Sequence, residues 1–204
     1  MEAVVVVVAA AVGVNAMCNT TPIFLQTNPT WVALYQRLQA FQVGGYEGVP
    51  LAFLSKLARM NGWTAAYTDR VFVEYKRFLF LTQTAEHFVC PSEAVDQAWH
   101  FHLIYSQSYW NDLCGDVLNK PLHHQPSRGG REETRAFYAA YTATLASYER
   151  LFGEKPPADL WETPTERLRE TPHLRLINVR THWLIPRPAR LLEWLQASIK
   201  NIAL

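Results

Sequence analysis

Cysteine is scarce in this chain, with Cys18, Cys90 and Cys114 alone among 204 residues. An odd number without a Cys-x-x-Cys pair argues against a disulfide framework or a cysteine-based zinc site and favours a reducing, cytoplasmic setting. Charge is sparse too. Charged residues make up 18%, and 19 basic against 18 acidic side chains leave a net charge of +1. No global field exists to hold phosphates or an anionic membrane, so nucleic acid is not an expected partner. Long hydrophobic runs are also missing. The longest, Ala3 to Val14, has twelve residues, too few to span a bilayer as a helix, and no Lys or Arg precedes it. Membrane insertion is therefore not expected. Met17 in front of Cys18 departs from a lipoprotein cleavage site. Met17 also opens a more ordinary soluble sequence, so residues 1–16 are expected to be an extension of uncertain origin, and 1–28 to lie outside the folded domain.

What the chain has instead is apolar and aromatic mass. Aliphatic, aromatic and cysteine residues make up 49%, including seven Trp, nine Tyr and ten Phe, enough for one well-buried domain. Their spacing is helical. Trp31, Leu34, Tyr35, Leu38 and Phe41 recur at intervals of three and four ahead of Gly44-Gly45. Pro50 to Asn61 reads as a second helix stopped at Asn61-Gly62, and Thr64 opens a third to about Thr84, with Lys76 and Arg77 on its wetter side. Ser92 caps a fourth, running to about Ser106. A bent helical stretch from Tyr109 to Leu118, a loop from Pro121 to Gly130, and a long helix from Arg131 to Phe152 ended by Gly153 follow. Pro156, Pro157, Pro164, Pro172, Pro186 and Pro188 cut the tail into short pieces before a last helix from about Ala189 to Ala203. The expectation is an all-α, irregular bundle of about six to seven helices, with a bundle domain over 29–155 and a Pro-rich extension over 156–204.

Four of the seven histidines fall in one stretch, Val95-Asp-Gln-Ala-Trp-His-Phe-His-Leu103 followed by His123-His124. Imidazole is the commonest protein metal ligand, which makes this the place for chemistry. Helical residues turn by about 100 degrees each, so Asp96 and His100 share a face while His100 and His102 diverge by about 200 degrees. One unbroken helix cannot aim both histidines at one ion. Asp96 and His100 with His123 or His124 would form a two-imidazole, one-carboxylate set suited to zinc, iron or manganese, with His102 a further candidate and Asp112, Cys114 and Glu93 as additional contributors. Trp99, Tyr105, Tyr109, Asp112 and Cys114 are the candidate pocket residues around it. Two other readings stand beside the metal: a structural polar network linking the histidines to Tyr and Asp partners, and metal-free acid/base catalysis. Whether the chain is an enzyme stays open at this point. Ser127-Arg128-Gly129-Gly130-Arg131 lacks the spacing of a nucleotide loop and reads as an ordinary start to the helix after it, and Arg167-Leu-Arg169, like Lys76-Arg77, reads as a solvated face.

The motif Val95-Asp96-x-x-Trp99-His100-x-His102-Leu103, followed by Tyr109, Asp112, His123-His124 and the helix Phe137…Tyr148…Phe152-Gly153, resembles the glycine-rich domain-containing protein-like family over roughly residues 30–155. The chain lacks the long glycine-rich portion of the plant members, and His124 stands where many of them have Asp. The resemblance implies an adaptor role as readily as catalysis, since plant members are discussed as RNA or protein binders. Two functions are thus carried forward: a divalent-metal protein, regulatory or catalytic, and a non-enzymatic module that receives an unknown protein partner beside Trp99 and Tyr109.

Overall fold

In the computed structural model, residues 28–44, 51–125 and 129–169 are described. The N-terminal run, and the helix expected from Ala189 to Ala203, lie outside them. Side-chain caps start most helices, because the first turn leaves amide protons without intrahelical acceptors. Asn28 accepts from the amides of Thr30 and Trp31 to open α1 (Pro29–Ala40). Helix α2 covers Leu51–Asn61. Thr64 caps α3 (Ala65–Thr84) at the amide of Tyr67, and Ser92 caps α4 (Glu93–Ile104) at the amide of Val95. A π-helix, Ser108–Val117, follows α4. Helix α5 (Arg131–Phe152) ends at Gly153, whose φ of 72° is the left-handed conformation that glycine adopts without a Cβ clash. Thr163 and Glu166 form a reciprocal capping box on the one-turn α6 (Pro164–Arg167). All seven elements are helical, so the all-α expectation holds among the described residues.

Helix α1 stops short of Gly44. Phe41 turns extended and donates its amide to the Arg37 carbonyl, which lets Phe41 and Val43 bury in the core. Helix α3 is the centre of the bundle, in contact with α1, α2, α4 and α5. Its Tyr75, Phe78, Leu79, Phe80 and Leu81 are wholly buried, together with Leu38, Leu57, Val95, Tyr109, Leu113 and Tyr148 from around it. Each such side chain contributes about 1.5–3 kcal/mol through removal from water.

Being surrounded has a consequence for the charges of α3, and it corrects the expectation of a wet Lys76-Arg77 face. Lys76 is 8% exposed; its ammonium donates to the Gln39 carbonyl at 2.7 Å, and burial lowers its pKa to about 8. Arg77 faces the buried Glu74 at 3.2 Å and Glu154 at 2.7 Å and donates to the Tyr148 hydroxyl. Glu74 also accepts from the Trp161 indole at 2.8 Å. Trp161 and Leu160 are buried against the bundle, so the chain past Pro157 adds to this core. The chain divides into two compact units, Met1–Leu168 and Arg169–Leu204, and all the helices described here belong to the first.

Candidate metal centre

The helical repeat places Asp96 and His100 one turn apart on the same side of α4, close to the helix start fixed by Ser92. From the opposite direction comes the loop after the π-helix. Its path is set by a relay in the bundle wall: the Trp99 indole donates to the Tyr109 hydroxyl at 2.9 Å, and that hydroxyl donates to the carbonyl of Leu122. Two residues on, the His124 ring packs edge-on against Trp99 at 4.4 Å and reaches the acidic face of α4.

Three donor atoms meet there. His124 Nε2 lies 2.9 Å from Asp96 Oδ1 and 2.9 Å from His100 Nε2, and His100 Nε2 is 3.8 Å from the same Asp96 oxygen. One proton on His124 Nε2 cannot bond well to both neighbours at once. A cation, if bound, would accept a lone pair from each of the three atoms. A point equidistant from the three atoms lies about 2 Å from each, the bond length of zinc to imidazole nitrogen and carboxylate oxygen. The side chain of His100 is 50% exposed and those of Asp96 and His124 are 20% and 18% exposed, so the cluster opens on solvent.

The second oxygen of Asp96 is taken. Arg167 Nη2 lies 3.2 Å from Asp96 Oδ2, while its Nε donates to the Pro91 carbonyl at 3.0 Å and sits 3.4 Å from Glu162. Glu162 in turn accepts the Glu93 amide at 2.8 Å, and burial raises its carboxyl pKa. Arg167 is therefore no solvated face, and the expectation for it is corrected: the α6 turn carries it to the Pro91 carbonyl and Asp96 at the start of α4 and to Glu162. A capping signature, Thr163-Pro164-Thr165-Glu166, was present to mark that turn.

The other two candidate histidines, His102 and His123, lie away from this cluster. His102 is fully buried, with Nδ1 2.9 Å from the Tyr75 hydroxyl and Nε2 3.4 Å from Ser108 Oγ. Rings of Phe41, Phe53, Tyr75 and Tyr109 enclose it, and burial lowers its pKa to about 3. It is a neutral ring, with one nitrogen accepting and one donating to hydroxyls that serve either role. His123 is exposed, packed on Trp110 at 5.4 Å between ring centroids. Of the candidate pocket residues, Trp99 and Tyr109 form the relay and back the site. Tyr105 packs on Phe53 and Phe101. Cys114 is buried, and burial raises its thiol pKa away from the reactive thiolate. Asp112 is half-buried in the π-helix.

The described residues thus form an all-helical fold with a His/His/Asp cluster open to solvent. Residues 49–139, a little under half of the chain, match the family model described as UCP032817-like. That span includes Asp96, His100 and His124 and leaves out Glu162 and Arg167. No curated protein and no solved structure matches the chain. No described helix is long and apolar enough to cross a membrane.

Proposed function

We propose that this protein binds one divalent transition-metal ion, of the zinc, iron or manganese class, through Asp96, His100 and His124. The observation that carries the reading is the convergence of three donor atoms from two chain segments, all within 4.8 Å of one another. Two imidazoles and one carboxylate leave coordination positions open to solvent, the arrangement of a site that binds water or substrate rather than one that only staples the fold. With zinc, the ion would polarise a bound water for hydrolysis; a regulatory ion would use the same ligands. The scarcity of cysteine, and the burial of Cys90 and Cys114 as free thiols, support a reducing cytoplasmic setting. The motif residues also support kinship with the glycine-rich domain-containing protein-like family.

The interaction-module reading is favoured by a different observation. Ile104 is 70% and Trp110 is 42% exposed at the end of α4 and the start of the π-helix, beside a His102 that is satisfied without an ion. Metal content by plasma mass spectrometry separates the two, on untagged protein purified without chelator and compared with His100→Ala and His124→Ala. Near-stoichiometric metal that disappears in both variants supports the metal site. Protein that stays metal-free after incubation with zinc, iron and manganese overturns it and leaves the module.

A further inference from the structure

We propose that Arg167 is a positioning residue that makes Asp96 a one-oxygen ligand and thereby sets which ion the site takes. The inference rests on the metal reading above. Asp96 divides its carboxylate: Oδ1 faces His124 at 2.9 Å, and Oδ2 faces Arg167 Nη2 at 3.2 Å. A carboxylate held in this way cannot swing to offer both oxygens to an ion. The hold is itself fixed, because Arg167 Nε is anchored at 3.0 Å on the Pro91 carbonyl, directly before the Ser92 cap of α4. The guanidinium fork thus spans a backbone atom and the ligand's second oxygen, a task that the point charge of a lysine does not perform.

One-oxygen carboxylate binding with two imidazoles suits a small ion content with four or five ligands, such as zinc. Manganese, an oxygen-loving ion of higher coordination number, gains more from a carboxylate free to chelate. The nearby guanidinium also repels any dication, but equally for two ions of the same charge. The ratio of zinc to manganese affinity cancels that repulsion and isolates the geometry.

The test measures Kd for zinc(II) and for manganese(II) on the full-length chain by competition with a chelating indicator, for wild type, Arg167→Gln and Arg167→Lys. Outer-shell partners change metal affinity by about 10–100-fold, so the zinc preference is expected to fall about tenfold or more in Arg167→Gln. Arg167→Lys keeps the charge and loses the fork, and its preference is expected to fall as well. Helix α6 has no buried residue, so the core should survive either change, which melting of the metal-free variants checks. A ratio unchanged within about threefold in both variants overturns the role of Arg167 while leaving the metal site standing. Wild-type protein that binds neither ion overturns both.

Discussion

His100 and His102 stand two residues apart on one helix and meet opposite fates. His102 is sealed among four aromatic rings, with both nitrogens met by hydroxyls, and burial holds it neutral. His100 is half-exposed, and its Nε2 faces another ring nitrogen and a carboxylate rather than a hydroxyl. The same side chain is thus a piece of core on one face of α4 and a candidate ligand on the other. Which it becomes is decided by the partner atoms: hydroxyls can donate or accept and complete a network, whereas a carboxylate beside two imidazole nitrogens offers more acceptors than donors. Histidine density along a sequence is therefore no measure of a site. Helical phase divides the cluster before any ion is considered.

The largest effect is expected at the buried face. His102→Ala should destabilise the protein by about 3 kcal/mol or more, since it opens a cavity and strands the Tyr75 and Ser108 hydroxyls, as urea unfolding would show. The same variant should leave zinc affinity of the folded protein unchanged. His102 also has a pH signature. Its folded pKa, lowered by burial to about 3, lies below the ordinary imidazole value of 6.5, so its contribution to stability is present above pH 6.5 and is lost as pH falls toward 3. The slope approaches about 1.4 kcal/mol per pH unit in that window. Glu74 and Glu162, whose carboxyls burial raises, act with the opposite sign over acidic pH. The difference between wild type and His102→Gln, a ring replaced by an amide that does not titrate, isolates the histidine: the acid-side loss should be smaller in the variant.

Next in size is the relay that steers the loop. Tyr109→Phe removes the hydroxyl between the Trp99 indole and the Leu122 carbonyl, with an expected cost of about 1–3 kcal/mol for the buried indole and the part-buried carbonyl left unpaired. Metal affinity should fall with it, because the position of His124 depends on that carbonyl; calorimetric titration with zinc checks this. Ser92→Ala removes the α4 cap at Val95 and should cost about 1 kcal/mol in chemical denaturation. The smallest stability effect sharpens the contrast most. His100→Ala, on a half-exposed side chain, should change unfolding free energy by less than about 0.5 kcal/mol while abolishing zinc binding.

Much of the fold could be read in advance because its signals are local. Ser92, Thr64 and Gly153 cap helices where the sequence places them, and the phase of Asp96 and His100 follows from spacing alone. The π-helix was readable only as a bent stretch, since nothing in Ser108–Val117 distinguishes its wider turn from an α-helix. The choice between His123 and His124 depends on a hydrogen bond from Tyr109, thirteen residues before Leu122, and so on tertiary structure. Arg167 lies 71 residues from Asp96, beyond any spacing rule. Lys76 and Arg77 carry the charge of a wet surface, and only the packing of α1 and α5 around α3 reveals that they are enclosed.

Zinc titration of protein labelled with nitrogen-15 in its imidazoles separates the buried His102 of α4 from the proposed ligands His100 and His124. The Nε2 resonances of His100 and His124 are expected to shift together and saturate at one equivalent, while both nitrogens of His102 stay where they are. Movement of His102 with zinc, or no movement of His100 and His124, would contradict it.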